Sequence, residues 1–476
     1  MKTRILSLFL VLLLTLVLPL SAWADGPDGN GAPPEGGPAD MGELPEGAPG
    51  DMGERPEGGP GEMGTPPGGG SSDFEYAAAT MITAAAEETA QTYVSETADE
   101  SALIVDTDAD VLLTDPIVVK TGDSDGGDNC NFYGLNAAVL AMGGGTVTIT
   151  GGTITSDADG ANGVFSYGGN GGQNGAAGDG TTVVIADTTI TTTGDGSGGI
   201  MTTGGGVTYA TDLTVETSGR SSAAIHTDRG GGTVVVEGGS YTSNGLGSPA
   251  IYSTADITVT GATLTSNLSE GVCIEGMNSI TLEDCDLTAN NTQCNGNATF
   301  LDSIMIYQSM SGDADSGTSS FTMTGGSLTS KSGHVFHVTN THAVISLTGV
   351  TLTNEDEADV LLSVCDDGWS GAANIAELNA SGQLLSGAIL VGENSTLTLR
   401  LADGSSFTGC VSGEIVNSKG ETVSAEVGAV SVTLDETSTW TLTADSYISE
   451  FSGDPANVVS NGYTLYVNGA ALEGTN

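Results

Sequence analysis

VVVEGGSYTS (234–243), ITVTGATLTS (257–266) and ITLEDCDLTA (280–289) follow one another at a constant spacing of 23 residues. In each, apolar residues alternate with polar ones, a short break of Gly or Asp follows, and an apolar residue then stands between hydroxyl or acidic neighbours. Alternation at period two, rich in Val, Ile and Thr, is the pattern of a strand with one buried face, and Gly or Asp at the break supplies a tight turn. Working outward, VTITGGTITS (147–156) and FTMTGGSLTS (321–330) repeat the unit, and TLTLRLADGSSFTG (396–409) and VTLDETSTWTLTAD (432–445) are looser copies.

The apolar residue of the closing strand marks each copy: Tyr93, Val118, Ile154, Ile190, Val215, Tyr241, Leu264, Leu287, Leu328 and Leu352. Successive gaps are 25, 36, 36, 25, 26, 23, 23, 41 and 24. A further strand-like segment follows most markers, for example Ala224-Ile225-His226, Ala250-Ile251-Tyr252 and Val272-Cys273-Ile274. One such unit cannot bury its own apolar side chains, but stacked units can, and stacking gives each backbone amide a partner in the next turn. The expected fold is all-β, a single-stranded right-handed parallel β-helix. It should have about 12 or more turns of 23–25 residues over 92–476, looser at 380–476, with right-handedness taken from the preference of parallel crossovers. Insertions near Gly160–Gly180 and Asn291–Gly317 are expected to bulge from single turns. A β-propeller needs four strands and ~40–45 residues per blade, which these gaps do not supply.

The flanks differ in composition. Lys2 and Arg4, the apolar run Ile5–Leu20 and Ala22-Trp23-Ala24 make residues 1–24 an expected secretory signal peptide. No Cys stands at the cleavage site to carry a lipid, and no second apolar run of ~20 residues follows. Residues 25–72 hold three copies of an 11-residue unit, PEGGPADMGEL, PEGAPGDMGER and PEGGPGEMGTP. Their Pro, Gly and acidic content buries too little to offset chain entropy, so a disordered acidic spacer is expected. Residues 73–91 are Ala-rich and suggest an N-terminal cap, with a short helix over 77–91.

Acidic residues number 60 against 9 basic ones, for a formal charge of −51. Such a chain repels nucleic acid and anionic lipid, and neither nucleic-acid binding nor membrane insertion is expected. Six cysteines over this length are too sparse for a disulfide scaffold, and they leave buried thiols and local bridges as alternatives.

KTGDSDGGDNCNFYGLNAAVLA (120–141), SGRSSAAIHTDRGGGT (218–233), SNGLGSPAIYSTADI (243–257) and SLTSKSGHVFHVTNT (327–341) resemble exported adhesin-like β-helix proteins of gut-type bacteria. VTLDETSTWTLTADSYI (432–448) is similar to the closing turns of autotransporter passenger domains. The resemblance covers about residues 90–476, and it implies a parallel β-helix displayed outside the cell.

Pectate-lyase-like enzymes share that scaffold. Of the hydrolase motifs, Asp366-Asp367 alone is present; a lyase needs a basic residue beside a cation-bound uronate. Arg229, beside Asp228, is the best basic candidate, followed by Arg220 and Lys120; the alternative is that Arg229 and Arg220 pair with acids on the acidic surface. Asp123, Asp125 and Asp128 alternate with Gly as a calcium loop would, although a metal-free acidic turn has the same composition. His334 and His337, three apart on a strand, should face opposite sides and lie at the surface. Thr242, Thr265, Thr288, Thr329 and Thr353 should stack as a hydroxyl column on one flat face, either as ordinary solvent-side strand residues or as a ladder for a repeating polymer. Asn244, Asn267 and Asn290, spaced by 23, suggest a turn-closing Asn ladder. The expectation is a secreted or cell-surface, non-catalytic β-helix contacting extracellular or host-surface glycan or protein. A polysaccharide lyase or hydrolase and a structural spacer are the alternatives.

Overall fold

The computed structural model describes residues 75–124 and 126–476. The expected leader, 1–24, and spacer, 25–72, lie outside them. Strands recur three to a turn, and from Glu100–Asp106 to Asn374–Ser381 each pairs in parallel with the strand three places before it. The result is sheets of 13, 14 and 10 strands, with a separate four-stranded sheet continuing the third face near the C-terminus. This is the parallel β-helix expected from the repeat.

The marker residues form one in-register column. Tyr93 pairs with Val118, Ile154, Ile190, Val215, Tyr241, Leu264, Leu287, Leu328 and Leu352 in turn. All are buried except Leu352, which packs half-covered against the core. On the adjoining 14-stranded sheet Val234 and Val236 align with Ile257 and Val259, then with Ile280 and Leu282. Both faces therefore feed one continuous apolar interior.

The corner between these two sheets explains the Gly/Asp break. Asp115, Asp212 and Asp284 adopt φ of 49°, 50° and 50° there, and Gly151, Gly238 and Gly325 take the same left-handed position one turn on. A Cβ on Gly151, Gly238 or Gly325 would stand 2.2 Å from Oδ1 of the Asp in the preceding turn. At these three corners an Asp carboxylate folds over the next turn, and Gly there leaves it room.

Two expectations are corrected. Residues 77–91 are not helical: Ala77–Ile82 and Ala86–Thr89 are strands that begin the stack and pair with Glu100–Asp106 and Val111–Thr114. Alanine favours helix only weakly, and ladder pairing with an adjacent turn overrides it. Nor is Asn291–Gly317 one insertion: strand Asp302–Tyr307 runs through it and pairs with Val272–Glu275. Excess chain instead appears at 121–138 (including helix Asp128–Tyr133), 168–181, 290–301, 308–317 and 365–373. Each of these stretches directly precedes or follows a strand of the 13-stranded sheet. The insertions thus rise along the two margins of one face.

At 380–476 the fold continues with two antiparallel pairs, Ile415–Val416 with Thr422–Ser424 and Leu465–Val467 with Ala470–Ala471. Where the third face changes sheet, the Gln383 side chain accepts from Val350 N (2.8 Å) and donates to Val350 O (2.7 Å), standing in for the missing strand pairing.

Candidate functional site

On the 13-stranded sheet the outward positions align as Ile104, Leu140, Phe165, Met201, His226, Tyr252, Cys273, Met305, His337 and Ser363. An ordinary solvent face would be polar here. This one carries apolar, aromatic and sulfur side chains because the marginal insertions cover it. Phe132, Tyr133 and Ala137 pack over Ile104, Leu140, Phe165 and Met201 at one end. Phe300 stacks on His337 at the other, with ring centroids 4.6 Å apart. Between the two covered stretches the column is open over His226, Tyr252, Cys273 and Met305.

That opening is a cleft made of two cavities, about 370 and about 280 Å³, which share Gly247, Pro249, Tyr252, Asn295 and Tyr307. Trp369, from the 365–373 insertion, meets Tyr307 at 4.9 Å between centroids and 55° between planes, forming an aromatic corner. His226 stands edge-on to Tyr252 at 5.1 Å. The hydroxyls of Tyr252 and Tyr307 both donate to Glu275 Oε2, at 2.6 and 3.1 Å. Ser309 donates to Glu275 Oε1, and Ser311 reaches the same oxygen at 3.4 Å. Glu275 is therefore a buried anchor that fixes two ring orientations. Glu270 is the carboxylate that lines the cavity beside Cys273, Met305 and Met310.

Burial dominates the electrostatics. It lowers the His226 imidazole to about 4, so the ring is neutral near pH 7. It raises the Asp228 carboxyl well above the usual range, and neighbouring Asp313 adds to the rise. The Cys273 thiol is pushed up by burial, with Glu270, Asp302 and Glu275 reinforcing it.

The six catalytic candidates do not converge. Lys120 is fully buried inside the first turns, between Ser95 and Ser156 in register, and donates to Thr97 O (2.9 Å) and Gly122 O. Arg229 is bound through Nε and Nη2 to Asp313 Oδ1 (3.0 and 2.5 Å), with its guanidinium 4.2 Å from the Phe132 ring centroid. It ties the helix-bearing insertion to the 308–317 insertion. Arg220 donates to Asn295 Oδ1 at 2.9 Å. Asp228, at the cleft wall, accepts from Arg229 N at 2.8 Å. Asp366 accepts from Asn374 Nδ2 at 2.6 Å. Asp367 Oδ1 accepts from the backbone and hydroxyl of Thr299 (2.8 and 2.6 Å) and from Gly368 N (2.7 Å).

His334 and His337 are a correction. Both Nδ1 atoms meet Ser363 Oγ, at 2.7 and 2.8 Å, and His337 Nε2 lies 3.4 Å from Asp367 Oδ2 in full burial. His334 opens its strand directly after Gly333 (φ 76°), and every later residue of that strand is buried, so a surface position by simple alternation does not hold at this end. The group holds down the 290–301 insertion. Burial raises Asp367, but the nearby His337 imidazole and the hydrogen bonds from Thr299 and Gly368 N outweigh it and leave the carboxyl below its usual range.

Asp123 and Asp128 have separate structural roles. Asp123 accepts from Asp159 N (3.0 Å), Asp159 from Asp195 N (2.8 Å) and Asp195 from Arg220 N (2.7 Å), a ladder of turns in which each Asp caps the next. Asp128 opens the short helix, and Asp125 lies outside the described residues. Among the described residues no three His, Cys, Asp or Glu side chains are placed to hold a metal ion.

The hydroxyl column has the expected geometry. Thr242, Thr265, Thr288, Thr329 and Thr353 pair in register, half-buried except for exposed Thr353. Asn267 Nδ2 donates to Asn244 Oδ1 (2.7 Å) and Asn290 Nδ2 to Asn267 O (3.3 Å), closing successive corners. Cys273, Cys285, Cys294, Cys365 and Cys410 are free thiols. Among the described residues Trp440 is wholly buried and donates to Gly409 O (3.1 Å), while Trp369 lines the cleft. The cleft aromatics were missed because they come from two separate strands, Ile251–Ser253 and Asp302–Tyr307, and one insertion. Aligning the segments around His226, Tyr252 and Cys273 as a column would have exposed Tyr252 among them.

Comparison with protein families, curated proteins and solved structures gives no match to this chain.

Proposed function

We propose that this protein is an exported, adhesin-like β-helix that binds extracellular glycan in the cleft over its 13-stranded sheet, without cleaving it. One observation carries the reading: Tyr252, Tyr307 and Trp369 converge on a single open cavity, with their orientations fixed by Glu275 and by mutual ring packing. Rigid aromatic faces with nearby amides and hydroxyls suit a sugar ring, whose apolar side stacks while its hydroxyls find partners. The groups a cleaving site would recruit are otherwise employed. Arg229 clamps two insertions, Lys120 is interior, and Glu275 accepts from two tyrosines and two serines. Uronate-rich chains would meet the Glu270 carboxylate and the large negative charge of the whole, so neutral or basic glycans are favoured.

The threonine column is the second contact surface to weigh, because five hydroxyl residues align along the rod in register. The test is a panel of neutral, basic and uronate glycans probed with three forms of the mature chain: unaltered, Trp369→Ala, and Thr242, Thr265, Thr288 and Thr329 all changed to Lys. Binding lost with Trp369→Ala and kept with the Lys variant supports the cleft; the reverse assigns contact to the threonine face. Release of reducing ends or unsaturated products by the unaltered chain would overturn the non-catalytic reading.

A further inference from the structure

We propose that the larger cavity of the cleft receives an organic ammonium group, held against the faces of Tyr252, Tyr307 and Trp369 with Glu270 as its counter-charge. The inference rests on this cleft being the contact site and names the chemistry of the group it takes.

The cavity walls combine three features that suit a soft cation. The first is the aromatic corner of Tyr307 and Trp369, with Tyr252 beside it; a cation over such rings is attracted by their negative faces, more strongly once desolvated. Both tyrosine hydroxyls donate to the Glu275 carboxylate, which increases electron density in the rings and adds negative charge behind them. The second is sulfur: Met305, Met310 and Cys273 line the same space, and polarizable sulfur tolerates methylated nitrogen where a hydrated ion would not settle. The third is charge. Among the described residues Glu270 is the one carboxylate lining this cavity, and no Lys, Arg or His lines it. The guanidiniums near its rim are already engaged: Arg220 donates to Asn295 Oδ1 at 2.9 Å and Arg229 is bound to Asp313. An anionic ligand would face Glu270 uncompensated, whereas a cation is steered inward by the surrounding field and neutralises it on arrival. A volume of about 370 Å³ accommodates a trimethylammonium head or an amino-sugar ring.

Choline and glucosamine carry the shared ammonium chemistry from two sources, with 3,3-dimethyl-1-butanol and N-acetylglucosamine as their uncharged counterparts. Titration calorimetry on the mature chain measures all four, and Trp369 fluorescence follows the unaltered protein, since Trp440 is wholly buried. Choline, glucosamine or both should bind saturably, at least about tenfold tighter than the matching uncharged compound. Glu270→Gln should weaken the charged ligand about tenfold and leave the uncharged one unchanged, with secondary structure preserved by circular dichroism. Trp369→Phe should retain part of the affinity, and Trp369→Ala should lose it. Equal binding of charged and uncharged members, or no saturable binding of either ammonium, overturns the inference. If neutral glycans still bind in a manner sensitive to Trp369→Ala, the glycan reading survives that result. If ammonium compounds bind and no glycan in the panel does, the glycan reading fails alone.

Discussion

Replacing Leu264 by Ala tests the stacked core directly, because its rung is held from both sides. Leu264 is 0% exposed and pairs in register with Tyr241 above and Leu287 below. Truncation removes three carbons, worth about 2.4 kcal/mol at ~0.8 kcal/mol each. In a helical bundle, neighbours would partly close the gap. Here the backbone ladder fixes Tyr241 and Leu287 one turn away on each side, at roughly 4.8 Å, so little collapse is available. The cavity term then brings the cost to about 3–5 kcal/mol, the upper part of the range for such changes. Thr265→Ala, on the same strand but facing outward, should cost under about 0.5 kcal/mol. A long repeat array need not unfold in one step, so a single unfolding energy is a poor readout. Amide hydrogen exchange under native conditions is the better assay. Protection in strands 240–243, 263–266 and 286–289 should fall for Leu264→Ala and hold for Thr265→Ala. Equal effects of the two changes would refute the assignment of inward and outward faces.

Three further outcomes are expected. Arg229→Met removes the charge pair with Asp313 but keeps an apolar stem against Phe132, so exchange should quicken in 308–317 with global melting nearly unchanged; a large loss of melting temperature would show that Arg229 supports the core. His226→Gln should flatten the acid side of the stability profile. Its folded value, about 4, lies below the ordinary 6.5, so the unfolded chain binds the proton more readily and stability falls as pH drops from about 6.5 to about 4. Asp228, raised by burial, works in the opposite direction, losing stability as pH climbs above the ordinary carboxylate value, and the difference between wild type and His226→Gln isolates the histidine; identical melting profiles would refute it. Gly238→Ala places a Cβ 2.2 Å from Asp212 Oδ1 at a φ of 67°, and should cost about 1–3 kcal/mol, measured as lost exchange protection in 234–243; full protection would show that the corner relaxes freely.

The repeat was legible because burial imposes it. Every marker must face the interior, so a single column of apolar residues recorded the register of a whole sheet, and gaps of 36 and 41 showed where chain was inserted. The gaps could not say at which of three corners an insertion leaves, which is why Asn291–Gly317 read as one loop when a strand crosses it. The Ala-rich start misled for a related reason: Ala77–Ile82 has strand alternation, but alanine carries too little hydrophobic contrast to reveal it. The cleft was harder still. Trp369 belongs to an insertion with no period, and the buried outward positions at Phe165, Met201 and Met305 contradict the usual solvent face. His334 and His337 escaped because a Gly-initiated strand end does not obey alternation.

The distribution of those insertions bears on function more than the repeat does. A rod built for stiffness alone would gain nothing from placing its extra chain along the margins of one sheet. Doing so covers outward positions that must then be apolar, and the covering is costly where it is incomplete, since His226, Asp228 and Asp302 sit in a low-dielectric wall with perturbed ionisation. Among the described residues the cover is incomplete over His226, Tyr252, Cys273 and Met305. There the walls are pinned by Arg229 with Asp313 on one flank and by Thr299 with Asp367 on the other. Those contacts keep the gap from closing as much as they hold the insertions down. An aromatic gap maintained against the hydrophobic drive to collapse is the property expected of a binding site, and the repetitive threonine face, which needs no such support, lacks it.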